Sequence, residues 1–156
     1  MKMSANFIEC WRINKRYFHL IQIYIVMEFC GSTTLDSFFK EGNRRTDEAL
    51  KEKFSQIVSA VEFLHSHKVF HRDLTLKNIL VTNQSQIKII DFGLATSSEL
   101  IQEQFCGTPA YICPQILLKQ QYHPRSVDIW CLGVILYAMC FGQLPFGGIL
   151  FVIKIV

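Results

Sequence analysis

The sequence lacks several features that would place it in a specialised class of protein. Its six cysteines form no Cys-x-x-Cys pair, which argues against a zinc site and favours reduced, mostly buried thiols. Neither sign of charge is in large excess, since 16 Lys and Arg oppose 13 Asp and Glu for a net charge of +3. We therefore expect no nucleic acid and no membrane as partner. A cytoplasmic location is expected, with a nuclear or cytoskeletal one left open.

Long apolar runs are scarce as well. The run 127–141 is interrupted by Asp128, and it is shorter than the roughly 20 residues that a membrane-spanning helix needs. The first residues carry Lys2, Glu9 and Arg12 and show no apolar segment of the kind found in a secretory signal. We therefore predict that 127–141 belongs to a buried core helix.

The patterns that are present predict a mainly α structure with small β elements. The spacing of apolar residues indicates helices at 35–40, 47–66 and 126–141, and strands at 21–29, 79–81 and 87–90. Thr46 is an N-cap candidate for the second helix, and Gly142 is positioned to end the last one. Residues 1–16 show no clear periodicity, so no element is predicted there.

Two short polar motifs follow these elements. His71, Arg72 and Asp73 come directly after the predicted helix 47–66, with Asn78 five residues beyond Asp73, and Asp91 opens an Asp-Phe-Gly tripeptide after the last predicted short strand. Either tripeptide alone is most often a turn with solvated charge, whereas their order and context together are specific. Phosphoryl transfer needs a carboxylate that accepts a hydroxyl proton and oxygen ligands for Mg²⁺. Asp73 can serve as the first, and Asn78 with Asp91 can serve as the second.

The order H-R-D-x-x-x-x-N and then D-F-G resembles that of protein kinases, and the resemblance extends over 21–146. It implies a protein-kinase-like C-lobe (α+β) with the N-lobe largely absent. It also implies ATP and Mg²⁺ as cofactors and a protein with a Ser or Thr acceptor as substrate. Asp73 would be the catalytic base, and Asn78 and Asp91 would bind the metal and the ATP phosphates. Arg72 would lie in the catalytic set as the partner of an activation-loop phosphate.

The segment 25–30 resembles the last N-lobe strand of a kinase and the hinge that follows it. The resemblance implies that Glu28 and Cys30 offer backbone groups to adenine and that Met27 is the gatekeeper. Leu80 would form the apolar floor beneath the adenine ring.

Two further segments of the chain resemble kinase motifs. The segment 105–111 is similar to the peptide-docking loop of serine/threonine kinases, in which Thr108 would hydrogen-bond Asp73 and orient it. The segment 127–133 is similar to the start of the central C-lobe helix, where Asp128 would bind the backbone of the catalytic loop. The catalytic loop resembles polo-like kinases, whereas this helix resembles the calcium/calmodulin-dependent and AMP-activated group, so the subfamily stays open.

Five departures from the kinase pattern bear on activity. No glycine-rich loop and no strand lysine precede residue 21. Thr75 stands where most serine/threonine kinases have a lysine that contacts the γ-phosphate. The polo-like kinases that the loop resembles also have threonine at this position. Lys77 stands where kinases that prefer arginine-rich substrates have an acidic residue, and Gln104 stands at the usual phosphothreonine position.

These observations predict three segments and leave three functions open. Residues 1–20 are an unassigned remnant or N-terminal extension, 21–146 a partial protein kinase domain, and 147–156 a hydrophobic tail. By resemblance the chain is a serine/threonine protein kinase, and we expect it to be truncated and weak or inactive alone. The alternatives are a catalytically inactive, kinase-derived binding module and a non-functional fragment.

Overall fold

The computed structural model describes residues 9–14, 21–40 and 45–146, with side chains described from Val26 onward. The chain divides into two compact units, with the boundary between Cys30 and Gly31. The predicted hydrophobic tail 147–156 and most of the predicted segment 1–20 lie outside the described residues.

The first unit contains an antiparallel pair of strands. β1 (Glu9–Asn14) pairs with β2 (Ile21–Val26), from Glu9 opposite Val26 to Asn14 opposite Ile21. The strand predicted at 21–29 is therefore present, and it ends at Val26, three residues before the predicted end. β1 was not predicted, since its short mix of charged and apolar residues has no distinct period.

The second unit is mainly α with one small sheet, in agreement with the predicted composition of elements. Its elements in chain order are α1 (Leu35–Lys40), α2 (Asp47–Ser66), β3 (Ile79–Val81), β4 (Ile87–Ile89), a 3₁₀ turn (Pro109–Tyr111), α3 (Pro114–Leu117) and α4 (Pro124–Phe141). β3 and β4 form an antiparallel hairpin with Leu80 opposite Lys88. The predicted helices 35–40 and 47–66 and the strand 79–81 are confirmed at their bounds, and the strand 87–90 ends one residue early.

α2 begins directly after its N-cap residue, Thr46. The Thr46 hydroxyl accepts a hydrogen bond from the Ala49 N–H at 3.2 Å, which satisfies one of the amides that a helix leaves unpaired at its start. Ile57, Val61 and Leu64 recur at helical spacing and are buried, so this face packs against α4 and β4. The helix therefore supports the loop that follows it.

α4 is the central helix of the second unit. It begins at Pro124 rather than at the predicted Ser126, because the His123 ring accepts from the Arg125 N–H at 3.2 Å and proline is well suited to a first turn. It ends at Phe141, and the Gly142 that follows has a φ of 74°, which favours glycine. By length and composition alone it could cross a membrane, a test that core helices of soluble proteins also pass. Its buried face lies in the hydrophobic core, as predicted.

Candidate active site

The loop between α2 and β3 is attached to α4 by one buried carboxylate. Asp128, which has no exposed surface, accepts hydrogen bonds from the backbone N–H of His71 at 3.0 Å and of Arg72 at 2.8 Å. Arg72 has a φ of 63°, which is unfavourable for a residue with a Cβ. The two bonds to Asp128 stabilise this turn, so Asp128 makes the backbone contacts that the kinase resemblance implied.

His71 connects the same loop to the segment that follows β4. Its ring is fully buried, and its Nδ1 accepts from the Asp73 N–H at 3.3 Å. Nε2 therefore carries the proton and donates it to the Ile90 carbonyl at 3.0 Å. This places Asp91, the next residue along the chain, near the loop that carries Asp73.

The carboxylate of Asp73 is held in one orientation by two neighbouring residues. Its Oδ1 accepts from the Thr108 N–H at 2.8 Å and from the Thr108 hydroxyl at 2.7 Å. Its Oδ2 accepts from the Asn78 amide at 3.3 Å. The hydrogen bond that the resemblance implied between Thr108 and Asp73 is present, and it joins two segments that are far apart in the sequence.

Asn78 and Asp91 present oxygen atoms that suit Mg²⁺. The Asn78 side-chain N–H₂ also donates to the Asp73 carbonyl at 2.9 Å, and Asp91 Oδ1 accepts from the Gly93 N–H at 3.2 Å. Within the described residues, the amide oxygen of Asn78 and Oδ2 of Asp91 accept no hydrogen bond from the protein. Two oxygen ligands fit Mg²⁺, which usually keeps waters and substrate phosphates as its other ligands.

No larger metal site accompanies this pair. The described part of the chain contains no group of three or more His, Cys, Asp or Glu residues that could hold a metal ion. The residues present therefore fit a metal ion that arrives with a phosphate ligand rather than one held by protein side chains alone.

The Arg72 guanidinium is buried and binds two acceptors from the segment after β4. The side chain is 6% exposed, and it donates to the Leu94 carbonyl at 2.7 Å and to the Gln104 side-chain oxygen at 3.1 Å. No carboxylate in the described residues forms an ion pair with it. Gln104, which the kinase resemblance places at the usual phosphothreonine position, is thus its partner. The sequence pattern did not predict this contact.

Tyr122 also contacts Gln104. Its hydroxyl donates to the Gln104 carbonyl at 2.7 Å and lies 3.6 Å from the Cys106 thiol. Burial raises the pKa of Tyr122 to about 12, with a further contribution from the hydrogen bond to Cys106. The segment 102–108, which carries Thr108, is therefore held at Arg72 and at Tyr122. Tyr122 is a residue that the sequence analysis missed, because it belongs to no kinase motif considered there.

A cavity of about 490 Å³ opens beside Asp73. Its walls come from α1, the loop 73–78, the segment 108–111 and the end of α4. Thr75 lies in this wall and is 4% exposed, and its hydroxyl accepts from the Asn78 N–H at 3.1 Å. The Tyr111 hydroxyl accepts from the Leu76 N–H at 3.4 Å, and burial raises the pKa of Tyr111. Asp73, Asn78, Asp91 and Thr108 all line the cavity.

The residues predicted to contact adenine are divided between the two units. Met27, Glu28 and Cys30 follow β2 in the first unit, where Met27 is 64% exposed and the Cys30 thiol donates to the Glu28 carbonyl at 3.6 Å. Leu80 lies in β3 of the second unit and is half-buried. Their roles toward adenine stay predictions.

Comparison with known proteins decides the family. A family model described as the protein kinase domain matches residues 2–150. The chain belongs to the protein kinase family. This kinase is 41% identical over 130 residues to CBL-interacting serine/threonine-protein kinase 13 of Arabidopsis thaliana, covering 80% of this chain and 26% of that protein. Protein kinases use ATP and Mg²⁺.

Two further relatives come from other organisms. NUAK family SNF1-like kinase 1 of Homo sapiens is 38% identical over 142 residues, covering 83% of this chain and 22% of that protein. The probable serine/threonine-protein kinase MARK-A of Dictyostelium discoideum is 38% identical over 128 residues, covering 81% of this chain and 12% of that protein. This kinase chain thus spans about a quarter or less of the length of these relatives.

Proposed function

We propose that this chain belongs to a kinase that transfers the γ-phosphate of ATP to a serine or threonine hydroxyl of a protein, with Asp73 as the base, and that the chain alone does so weakly. The observation that carries the proposal is the pair of hydrogen bonds from Thr108 to Oδ1 of Asp73, at 2.8 and 2.7 Å. They orient the carboxylate at the edge of a cavity in which an acceptor side chain can lie. Two of the relatives named above are serine/threonine kinases by name, and they support a serine or threonine as the acceptor.

The proposed step uses the chain's own side chains in distinct ways. The acceptor oxygen forms a bond to the γ-phosphorus, the bond from that phosphorus to the bridging oxygen of ADP breaks, and the hydroxyl proton passes to Asp73. Asn78 and Asp91 would hold Mg²⁺ through the oxygens described above, and the ion when bound neutralises charge on the phosphates. Thr108 keeps Asp73 oriented throughout, because its N–H and hydroxyl both bind one oxygen.

The finer assignment of the fold belongs to the same proposal. We assign the second unit to a kinase C-lobe, with the loop 73–78 as the catalytic loop and α4 as its central helix. We assign 21–30 to the last N-lobe strand and the hinge, with backbone groups of Glu28 and Cys30 binding adenine. ATP and a protein with a Ser or Thr acceptor are the proposed ligands, and the cytoplasm is the proposed location.

Phosphate transfer by two carboxylate variants tests the function. Purified chain is incubated with Mg²⁺, radiolabelled ATP and casein, beside Asp73→Asn, Asp91→Asn and the exposed control Glu62→Gln on α2. We expect Asp73→Asn to lose roughly 10²- to 10⁴-fold in rate, because a general base typically contributes that much. We expect Asp91→Asn to lower the rate as well, because Mg²⁺ loses one of its two protein ligands. The control is expected to keep the rate of the unmodified chain. Equal transfer by all four proteins would contradict the proposal.

A binding module without catalysis is the second candidate, because the cavity could hold a peptide without phosphate transfer. The buried Thr75 does not separate the two candidates, since the polo-like kinases that the loop resembles also carry threonine at this position. Isothermal titration with Mg·ATP separates the two candidates. A cooperatively folded chain that binds peptide but no nucleotide would establish the binding module and exclude the kinase.

A further inference from the structure

We propose that Tyr122 is a positioning residue for the phosphate transfer, because it fixes the segment 102–108 so that Thr108 stays bound to Asp73. The inference rests on the proposed function and adds one residue to those that control its base. Tyr122 does not line the cavity that contains Asp73 and Thr108, so it acts through these two residues and not on the substrate.

Tyr122 contacts three alternate residues of the segment 102–108. The Gln102 N–H donates to the Tyr122 carbonyl at 2.8 Å, and the Tyr122 N–H donates to the Gln102 carbonyl at 3.0 Å. The Tyr122 hydroxyl donates to the Gln104 carbonyl at 2.7 Å and lies 3.6 Å from the Cys106 thiol. Tyr122 and Cys106 are both buried, which shields these contacts from water and strengthens them. One residue therefore holds the segment from residue 102 to residue 106.

The residue between this anchored part and Thr108 is Gly107. Its φ of 106° lies in a region that favours glycine, which has more backbone freedom than any other residue. A Cβ at this position would lie 3.2 Å from the Arg72 carbonyl, so glycine also allows the segment to approach the loop after α2 closely. Because Gly107 by itself restrains Thr108 little, the contacts at Gln104 and Cys106 provide the restraint on this side.

On its other side, Thr108 is restrained by the 3₁₀ turn. The Tyr111 N–H donates to the Thr108 carbonyl at 2.8 Å, and the Tyr111 hydroxyl accepts from the Leu76 N–H at 3.4 Å. Removal of the Tyr122 hydroxyl would weaken the restraint before Thr108 and leave the restraint after it intact. The two hydrogen bonds from Thr108 to Asp73 would then break more often.

α4 gives Tyr122 a fixed position. Tyr122 lies two residues before Pro124, the first residue of α4. The ring of His123, between them, packs edge-on against Phe70 with 5.9 Å between the ring centroids. Asp128 of the same helix binds the backbone of the loop between α2 and β3. One helix thus positions both this loop and, through Tyr122, the segment 102–108.

Hydrogen exchange in the full chain tests the inference without transfer activity. Tyr122→Phe keeps the buried ring and removes only the hydroxyl, and exchange at the Thr108 amide reports its bond to Asp73. Relative to the Ile57 amide in α2, we expect the Thr108 amide to exchange about ten-fold faster in Tyr122→Phe, because a local hydrogen bond is lost. The control Tyr137→Phe removes a more exposed phenol hydroxyl on α4 and should leave this ratio unchanged.

Steady-state kinetics with casein provide a second measurement. In Tyr122→Phe we expect kcat to fall about three- to ten-fold while the KM for ATP changes by less than about two-fold, since the orientation of the base is affected and nucleotide binding is not. In a Thr108→Ala background, the same substitution should change kcat by less than about two-fold, because the residue through which Tyr122 acts is absent.

Two results would overturn the inference. One is an exchange rate at Thr108 that rises no more than that at Ile57 in Tyr122→Phe, which would give Tyr122 a role in stability only. The other is a kcat that does not change, or that falls by the same factor with and without Thr108. Because exchange is measured without ATP, its outcome is independent of phosphate transfer. Faster exchange at Thr108 in a chain that transfers no phosphate would refute the proposed activity and keep the positioning of Thr108 by Tyr122.

Discussion

At the scale of single residues, the most informative contact joins Arg72 to Gln104. A buried guanidinium is normally compensated by an anion, yet here a neutral amide oxygen at 3.1 Å and the Leu94 carbonyl at 2.7 Å are its partners. The contact also holds the segment that carries Thr108. Gln104 is therefore expected to keep Asp73 and Thr108 together without phosphorylation at this position.

Replacing Gln104 tests this role. Gln104→Ala removes an acceptor from a buried cation, and we expect a loss of about 1–2 kcal/mol in the free energy of unfolding, since bonds to charged groups are worth about 1.5–3 kcal/mol when buried. We also expect kcat to fall more than KM changes, because the orientation of Asp73 is relaxed. Gln104→Glu should keep the free energy of unfolding and kcat near the values of the unmodified chain, because its carboxylate also accepts a hydrogen bond from Arg72. Urea unfolding and steady-state kinetics measure these effects.

A matched glutamine provides the control for that experiment. Gln121 is exposed and donates to Glu103 at 2.7 Å, so Gln121→Ala also removes one side-chain hydrogen bond. It is expected to change the free energy of unfolding by less than about 0.5 kcal/mol, as surface substitutions usually do. Similar losses in the two alanine variants would argue against a special role for Gln104.

At the scale of elements, α4 positions the loop between α2 and β3 through a single side chain. Asp128 lies in its first turns, and its two oxygens bind successive backbone amides of the loop. The same carboxylate lies 2.7 Å from the ring of His65 in α2. One buried carboxylate thus joins α4, the loop and α2, which explains how a charged residue is accommodated in a helix whose buried face is otherwise apolar.

Asp128→Ala is expected to be among the most destabilising single changes in the chain. It leaves two buried N–H groups and the His65 ring without their acceptor, so we expect a loss of about 3 kcal/mol or more in the free energy of unfolding. Hydrogen exchange at the His71 and Arg72 amides should accelerate together. Ser126→Ala, at an exposed position of the same helix, serves as the control. Unchanged exchange at both amides in Asp128→Ala would contradict this explanation of the loop.

At the scale of the whole molecule, buried ionisable groups make the fold sensitive to alkaline pH. The pKa of Tyr122 is about 12 in the folded chain and near 10 when unfolded, because burial disfavours the phenolate. The stability that this group contributes is fully present below pH 10 and is lost as the pH rises from 10 to 12. Burial also raises the pKa of the Cys131 thiol, which acts in the same direction.

The slope of stability against pH tests this statement. The free energy of unfolding in urea should fall between pH 10 and 12, and Tyr122→Phe should make that fall shallower, since phenylalanine has no proton to lose. The substitution also removes the bond to the Gln104 carbonyl, so its stability at pH 8 should be lower than that of the unmodified chain. Tyr137→Phe, which changes an exposed phenol, is the control. An identical slope for Tyr122→Phe and the unmodified chain would refute the assignment.

The sequence by itself determined most of the regular elements of the second unit, apart from α3 and the 3₁₀ turn. Thr46 and the apolar spacing after it identify α2, and the order of Asp73, Asn78 and Asp91 predicts the chemistry, because caps, periodicity and motif spacing are properties of neighbouring residues. β1 and the first two residues of α4 were not predicted. Periodicity shows neither that β1 pairs with β2 nor that His123 caps α4.

Only the tertiary structure decided which of these residues act together. The bonds from Thr108 to Asp73, from Arg72 to Gln104 and to Asp128 join segments that are 32 or more residues apart. Hydrophobic packing of α2 on α4 determines those distances, and no local pattern encodes them. The same packing places α1, the loop 73–78, the segment 108–111 and the end of α4 around one cavity, because these segments come together only when the helices pack.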